Sequence, residues 1–503
     1  MHIAIVGAGY SGLATASTLL SFGHSVVVFD SSPDVGGVWS STNHYPGLKA
    51  QNDKDTYCFS TLPMPKDYPI HPDGQQVQAY LEMYVKMKSL DKEGRLRLKT
   101  RVMKAEKRDE GWILEVQSSQ STQLLSLDYL ICATGVFSQP FIPTFNGSTI
   151  FTQAGGIITH TSSFHRLVDV KDKNVIVLGF GKSACDTAVA ATNSAQSVTI
   201  VARDIIWKLP TYLGGVVHYS YLLLTRFGES LFPYNRPWKS QRFLNYGPGK
   251  LFREFVLAVV GLIITIQLKL VRFNLVPKKP FDTIARSSIS LATPGLVSAL
   301  SSGRVQVESY ASILSLSNSK ALLSNGKEIP ADVIICGTGW THHVPAFLPV
   351  EYSQKLLDEN GDWILYRHVF PIDIPDLAFV GFNSSVFCPL TSEITAMWLA
   401  SHIESDIALI RDFPSEIVQK RLTKEETAWH RRRTEGHHAN GTSIVPFSLS
   451  NIDEMLEDLG VKIGWLSHIK EWILPVKPLA YRHILPEVLR RRGTLQAEKK
   501  KRI

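Results

Sequence analysis

Gly7, Gly9 and Gly12 stand in GxGxxG spacing between an apolar run, residues 2–6, and a run of small and aliphatic residues, 13–20. Such a turn lets the backbone approach a pyrophosphate while the N-terminus of the following helix faces the phosphates. Asp30 ends the next apolar run about 20 residues on, where an acid accepts ribose hydroxyls. A second turn, Gly179, Gly181 and Ala184, has the same layout, but its following run, VTIVAR, ends in Arg203. An acid would repel a 2′-phosphate and a guanidinium would pair with it, so this half reads as a site for NADP rather than NAD. The plain alternatives are glycine turns that only pack a sheet and an Arg203 that is an ordinary surface charge. Two dinucleotides on one chain suggest electrons passed between them.

The elements that must position these turns are short buried strands. Residues 25–30 and LDYLICATG at 127–135 read as strands, 104–116 as a small antiparallel piece and 75–88 as a helix. ADVIICGTGW at 331–340 repeats the strand and turn of LICATG. The expected fold is therefore α/β, with two Rossmann-like dinucleotide-binding domains, the second inserted into the first. The boundaries are 1–150 with 331–440, then 151–330 with an apolar excursion at 211–285, then a C-terminal extension over 441–503 with a basic tail.

Taken in order, GAGYSG, GGVW (36–39), ICATG, HTSSF (160–164), GFGKSACD and ICGTGW resemble the flavin-containing monooxygenases and the related Baeyer–Villiger monooxygenases over about residues 1–405. The resemblance implies FAD on the first unit and NADPH on the second, with a reduced flavin that captures O2 as a C4a-hydroperoxide and passes one oxygen atom to a substrate. It also implies cofactor contacts by Gly37 and Trp39, by Ala133, Thr134 and Gly135, by Ser183, and by Thr338 and Gly339. Two positions depart from the family pattern. Gly156, His160 and Phe164 fit the fingerprint FxGxxxHxxxF/Y/W but its first position is Ala154, so His160 either orients a linker or meets substrate. Gln51 occupies the position that resembles the family's active-site Asn, or the Asp of the Baeyer–Villiger enzymes, with Asn52 beside it. Either amide is the candidate catalytic group. Gln cannot be the charged partner of an arginine, which favours N- or S-oxygenation or epoxidation of a lipophilic small molecule over Baeyer–Villiger insertion.

The bulk numbers agree with a folded enzyme: 44% hydrophobic and 19% charged residues. A net charge of +8 suits cofactor phosphates and an anionic membrane surface; the basic residues are scattered, and no nucleic-acid partner is expected. Five separated cysteines give no redox pair, which weighs against a flavin disulfide reductase, and no metal centre is expected. A non-catalytic nucleotide-binding redox sensor is the alternative from another class. The first strand begins at residue 2, so no cleaved signal peptide is expected and the catalytic body should face the cytosol. Residues 255–268 carry no charge and are too short to span a bilayer, leaving an interfacial anchor, a core helix and a lid as readings. The terminal KKRI resembles an endoplasmic-reticulum retrieval signal; a solvated charged tail is the alternative.

Overall fold

Short runs of Val, Ile and Leu bounded by glycine form the strands of two parallel sheets. The computed structural model describes residues 1–285, 290–341, 343–404, 409–410, 413–434 and 441–502. In chain order the sheet strands are β1 (His2–Val6), β2 (Ser25–Phe29), β3 (Leu96–Arg97), β4 (Tyr129–Cys132), β5 (Ile157–His160), β6 (Asn174–Leu178), β7 (Ser197–Ala202), β8 (Val305–Ser309), β9 (Val333–Cys336) and β10 (Leu377–Phe379). The first sheet has the order β10-β4-β1-β2-β3 and the second β5-β9-β6-β7-β8, with every pair parallel. The two orders correspond strand by strand. A three-stranded antiparallel meander precedes the inner strand of each sheet, Arg101–Arg108 to Thr122–Leu127 before β4 and Ile313–Leu316 to Glu328–Pro330 before β9.

The sequence reading returns residues 331–340 to the first unit, and here the structure differs. β9 lies between β5 and β6 in the second sheet. Its turn explains the placement: a Cβ on Gly179 would stand 2.6 Å from the carbonyl oxygen of Gly337, as one on Gly7 would stand 2.3 Å from that of Ala133. Each glycine turn is thus backed by the small-residue turn of its own inner strand. The second sheet is complete within residues 157–336, and the first is completed only by β10.

Five helices matter for the site: α1 (Tyr10–Ser21), α2 (Lys182–Ala191), α3 (Lys250–Gln267), α4 (Cys388–Ile403) and α5 (Trp465–Lys470). Residues 389–401 of α4 are all buried, the polar Ser392, Glu393 and Thr395 among them. It packs on α1, where the Ser11 and Ser392 hydroxyls meet at 2.8 Å. The C-terminal region is integrated rather than appended. Helix Ser448–Asp458 packs on α4, and the buried Arg226 of the excursion pairs with Asp453 at 2.5 Å and Glu471 at 2.9 Å.

α3 carries two apolar faces. Leu257, Val260, Gly261 and Ile264 are buried, while Leu251, Phe255, Leu262 and Ile266 are 60–78% exposed. The segment is therefore a core helix on one side and an open apolar ridge on the other. Among the described residues no helix is long and apolar enough to cross a membrane. The first three residues of KKRI end the helix Ile484–Arg502, and Ile503 lies outside the described residues.

Candidate active site at the seam of the two units

Gly7 has φ +118°, a conformation that favours glycine, and a Cβ on Gly12 would stand 1.9 Å from the Gly7 carbonyl oxygen. Gly37 closes the other side, where a Cβ would come 3.2 Å from the Gly9 Cα. Asp30 accepts the Ala8 N–H at 2.7 Å and the Ser32 N–H at 2.8 Å. These bonds fix the turn against the end of β2 and leave a lone pair on each carboxylate oxygen for a ribose hydroxyl. Trp39 is buried and donates to the Tyr57 hydroxyl at 3.2 Å. Thr134 and Gly135 continue the turn begun by Ala133, so nine of the eleven residues expected on the first unit lie around one backbone cradle of the kind a dinucleotide phosphate needs.

At the second turn nothing stands within 4 Å of a Cβ on Gly181, so the mouth of the cradle is open. Ala184 backs it, 2.6 Å from the position of a Cβ on Gly337. Arg203 is exposed at the end of β7 and pairs with no carboxylate among the described residues. It is free to meet a 2′-phosphate. Thr338 and Gly339 sit here rather than at the first turn. Thr338 donates to the Phe141 carbonyl, and the Gly339 carbonyl accepts the Phe141 N–H at 3.0 Å and His160 Nε2 at 3.0 Å. The Nδ1 of His160 accepts from the Ser162 N–H at 3.2 Å, which puts its proton on Nε2, and burial lowers its pKa. His160 therefore ties two connecting segments together as a neutral imidazole.

The loop expected to line the reaction lies between the two turns. Tyr45 donates to the Ser183 hydroxyl at 3.3 Å, and a Cβ on Gly47 would touch the backbone of Asp186, so this loop of the first unit rests on α2 of the second. Gln51 accepts the Leu291 N–H on Oε1 at 3.1 Å and the Tyr219 hydroxyl on its backbone carbonyl at 2.6 Å. Its amide nitrogen has no partner among the described residues. Asn52 is spent differently: it is 9% exposed and its amide nitrogen donates to the Val386 carbonyl at 2.6 Å. Asp53 is held by burial above the usual carboxylate range and accepts the Thr56 N–H at 2.9 Å, closing a turn. Phe59, at the end of this loop, is core: it is fully buried and stacks on Tyr84 at 3.8 Å.

Sequence reasoning missed Tyr219 and the 290–293 segment, which reach Gln51 from residues with no motif around them. Asp186 was also missed; it holds Lys182 at 2.5–2.6 Å and accepts from Thr293 at 2.6 Å. His71 stacks with His218 at 6.0 Å beside Tyr219, and burial lowers the pKa of both rings. One group elsewhere, His368, Glu426 and His430, brings three potential metal-ligand atoms within 4.8 Å of one another. There His368 pairs with Glu426 at 3.2 Å, and Arg433 occupies His430 Nδ1 at 3.2 Å, so the group forms an ionic network. All five cysteines are free.

Comparison with known proteins agrees with the fold. Flavin-containing monooxygenase 1 of Canis lupus familiaris is 26% identical over 481 residues, covering 92% of this chain and 83% of the relative. FAD-dependent monooxygenase DEP4 of Fusarium langsethiae is 26% identical over 576 residues, covering 96% and 94%. Among solved structures, OTEMO in complex with FAD and NADP shares the fold at TM-score 0.67 and 17% identity, over 90% of this chain and 97% of that one. S-allyl-L-cysteine S-oxygenase from Allium sativum does so at TM-score 0.62 and 17% identity, over 99% and 98%. The model of the family described as flavin-binding monooxygenase-like matches residues 1–470. With both glycine cradles intact and that match spanning nearly the whole sequence, the chain belongs to the flavin-binding monooxygenase-like family.

Proposed function

We propose that this FAD-dependent NADPH monooxygenase transfers one atom of O2 to a lipophilic small molecule, by N- or S-oxygenation or epoxidation rather than by Baeyer–Villiger insertion. When bound, NADPH supplies a hydride and the flavin supplies oxygen activation; the chain binds, orients and excludes water. The observation that carries the reading is the division of labour between two adjacent amides. Asn52 donates through its amide nitrogen to the Val386 carbonyl, whereas Gln51 is held by its oxygens and its NH2 has no partner among the described residues. A neutral donor there can stabilise developing negative charge but cannot anchor an arginine. The nearest acid in sequence, Asp53, is folded into the Thr56 turn.

Gln51→Ala should leave NADPH-driven flavin reduction near the native rate. Oxygen uptake should continue while product falls and hydrogen peroxide rises in proportion. Losing one aligned donor costs about 2.7–4 kcal/mol, less where the long stem moves. Asn52→Ala should lower thermal stability and leave coupling intact. A fully coupled Gln51→Ala with an uncoupled Asn52→Ala would move the role to Asn52.

We infer also that the ridge of α3 docks on an anionic lipid surface, from which a lipophilic substrate would be drawn. Lys250, Lys269 and Arg272 flank its exposed face. Trp465, Ile469 and Ile473 are 56–72% exposed as well, and Trp472 beside them lies 6.5 Å from Trp238, the residue that precedes a helix packed on α3. This is the pattern of a helix lying in the interface. Leu262→Asp with Ile266→Asp should abolish flotation with phosphatidylserine vesicles at unchanged flavin content. Equal flotation of both proteins, or none of the native one, would remove the membrane from the account.

A further inference from the structure

Lys208 lies in the loop after β7, past Arg203, and is only 4% exposed. Its ammonium donates to the Ser290 hydroxyl at 3.0 Å, contacts the Cys185 thiol, and lies 4.8 Å from the centre of the Phe180 ring. Phe180 is the middle residue of the second glycine turn and Cys185 is in the first turn of α2, so this charge is buried directly behind the cradle. It forms no ion pair with a carboxylate among the described residues. Asp186, the acid whose field reaches it, is already engaged by Lys182 and Thr293.

Burial without a paired carboxylate lowers the pKa of Lys208, and an anion bound close by would favour its charged form. A hydroxyl, a thiol and an aromatic face solvate it only in part. The ligand that the cradle itself calls for is an anion, and the open position at Gly181 lies on the same turn as Phe180. Ser290 adds a second link, since the next residue, Leu291, donates its N–H to Gln51.

We propose that Lys208 is a nicotinamide-dinucleotide-binding residue whose counter-charge is the pyrophosphate of NADPH. Arg203 then reads the 2′-phosphate that separates NADP from NAD, while Lys208 serves the part that both share. The folded protein without dinucleotide carries the lysine at a cost in stability, and binding relieves it.

The test is Lys208→Met in FAD-loaded oxidised protein, titrated with NADP+ and with NAD+ and followed by flavin absorbance and thermal unfolding. Without dinucleotide the variant should melt no lower than the native protein. Its dissociation constants for NADP+ and NAD+ should both rise tenfold or more, with their ratio unchanged, and the NADP+-induced rise in melting temperature should shrink. Lys208→Gln removes the charge but keeps a donor for Ser290, and should behave likewise where Met disturbs packing. Affinity for NADP+ within twofold of native in either flavin-loaded variant would overturn the assignment. So would a variant that melts lower alone yet binds NADP+ normally, because the lysine would then be a packing contact.

Discussion

The two nucleotide units repeat one design with opposite signs. Both place a glycine turn after a central strand, back it with a small-residue turn from the neighbouring strand, and insert an antiparallel meander before that neighbour. At the end of the next strand they part. Asp30 of the first unit is half-buried and tied to the Ala8 and Ser32 N–H groups, whereas Arg203 of the second is exposed and pairs with no carboxylate among the described residues. An acid built into the cradle suits a cofactor that stays; a guanidinium waiting in solvent suits one that arrives and leaves. The loops follow suit, since the first unit is roofed by α4 and the 39–60 segment while the second has an open position at Gly181.

The widest gap between the units should come from alanine in the glycine turns. Gly12→Ala drives a Cβ to 1.9 Å from a backbone oxygen, so the variant should lose flavin and about 1–3 kcal/mol or more of stability. Gly181→Ala meets nothing within the protein; it should keep fold and FAD and lose only NADPH affinity. Flavin content and NADP+ titration read both, and a flavin-loaded Gly12→Ala would break the comparison. At the strand ends, Arg203→Ala should weaken NADPH by about ten- to a hundredfold, the worth of a charge-assisted pair of about 1.5–3 kcal/mol, and leave NADH almost untouched. Asp30→Ala should lower flavin content at unchanged NADPH preference. Equal losses of NADPH and NADH in Arg203→Ala would show that another residue reads the phosphate.

A smaller effect separates the units by pH. Glu393 on α4 is buried against the first unit, accepts the Ser60 N–H at 2.8 Å, and is pushed by burial from 4.5 to about 7. A raised folded pKa means that its contribution is fully present below about pH 4.5 and is lost as pH rises through about 7. Glu393→Gln should flatten that loss by about 1–3 kcal/mol, seen as a smaller fall in melting temperature between about pH 5 and 8. Some dependence should persist from Glu229, also raised to about 7 by burial between the excursion and residues 449–450. An unchanged profile would place Glu393 outside the titration.

Much of this was legible because it is local. A glycine turn, its strand and its helix are neighbours in sequence, so their spacing alone located both turns and the charged residue that follows each. What the sequence could not show was assembled from a distance. ICATG and ICGTG look alike, and only sheet order reveals that each backs its own turn, which moved Thr338 and Gly339 to the second unit. Gln51 and Asn52 are adjacent amides of equal chemistry, and they separate only when Leu291, Tyr219 and Val386 arrive from elsewhere in the chain. The faces of α3 were indistinguishable for a related reason, since both are apolar and tertiary packing decides which one is covered.

The placement of β10 has a consequence for how the chain is made. The second sheet is built from one continuous stretch, 157–336, and its strands can pair as soon as that stretch has left the ribosome. The first sheet has four strands by residue 132 but lacks an edge until residues 377–379 arrive, and α1 lacks its cover until α4 follows. At about 5–20 residues per second that is a wait on the order of ten seconds or more with an apolar helix face and a strand edge uncovered. The part of the molecule begun first is thus the last to close, and it is the part on which a chaperone or a free flavin nucleotide has time to act.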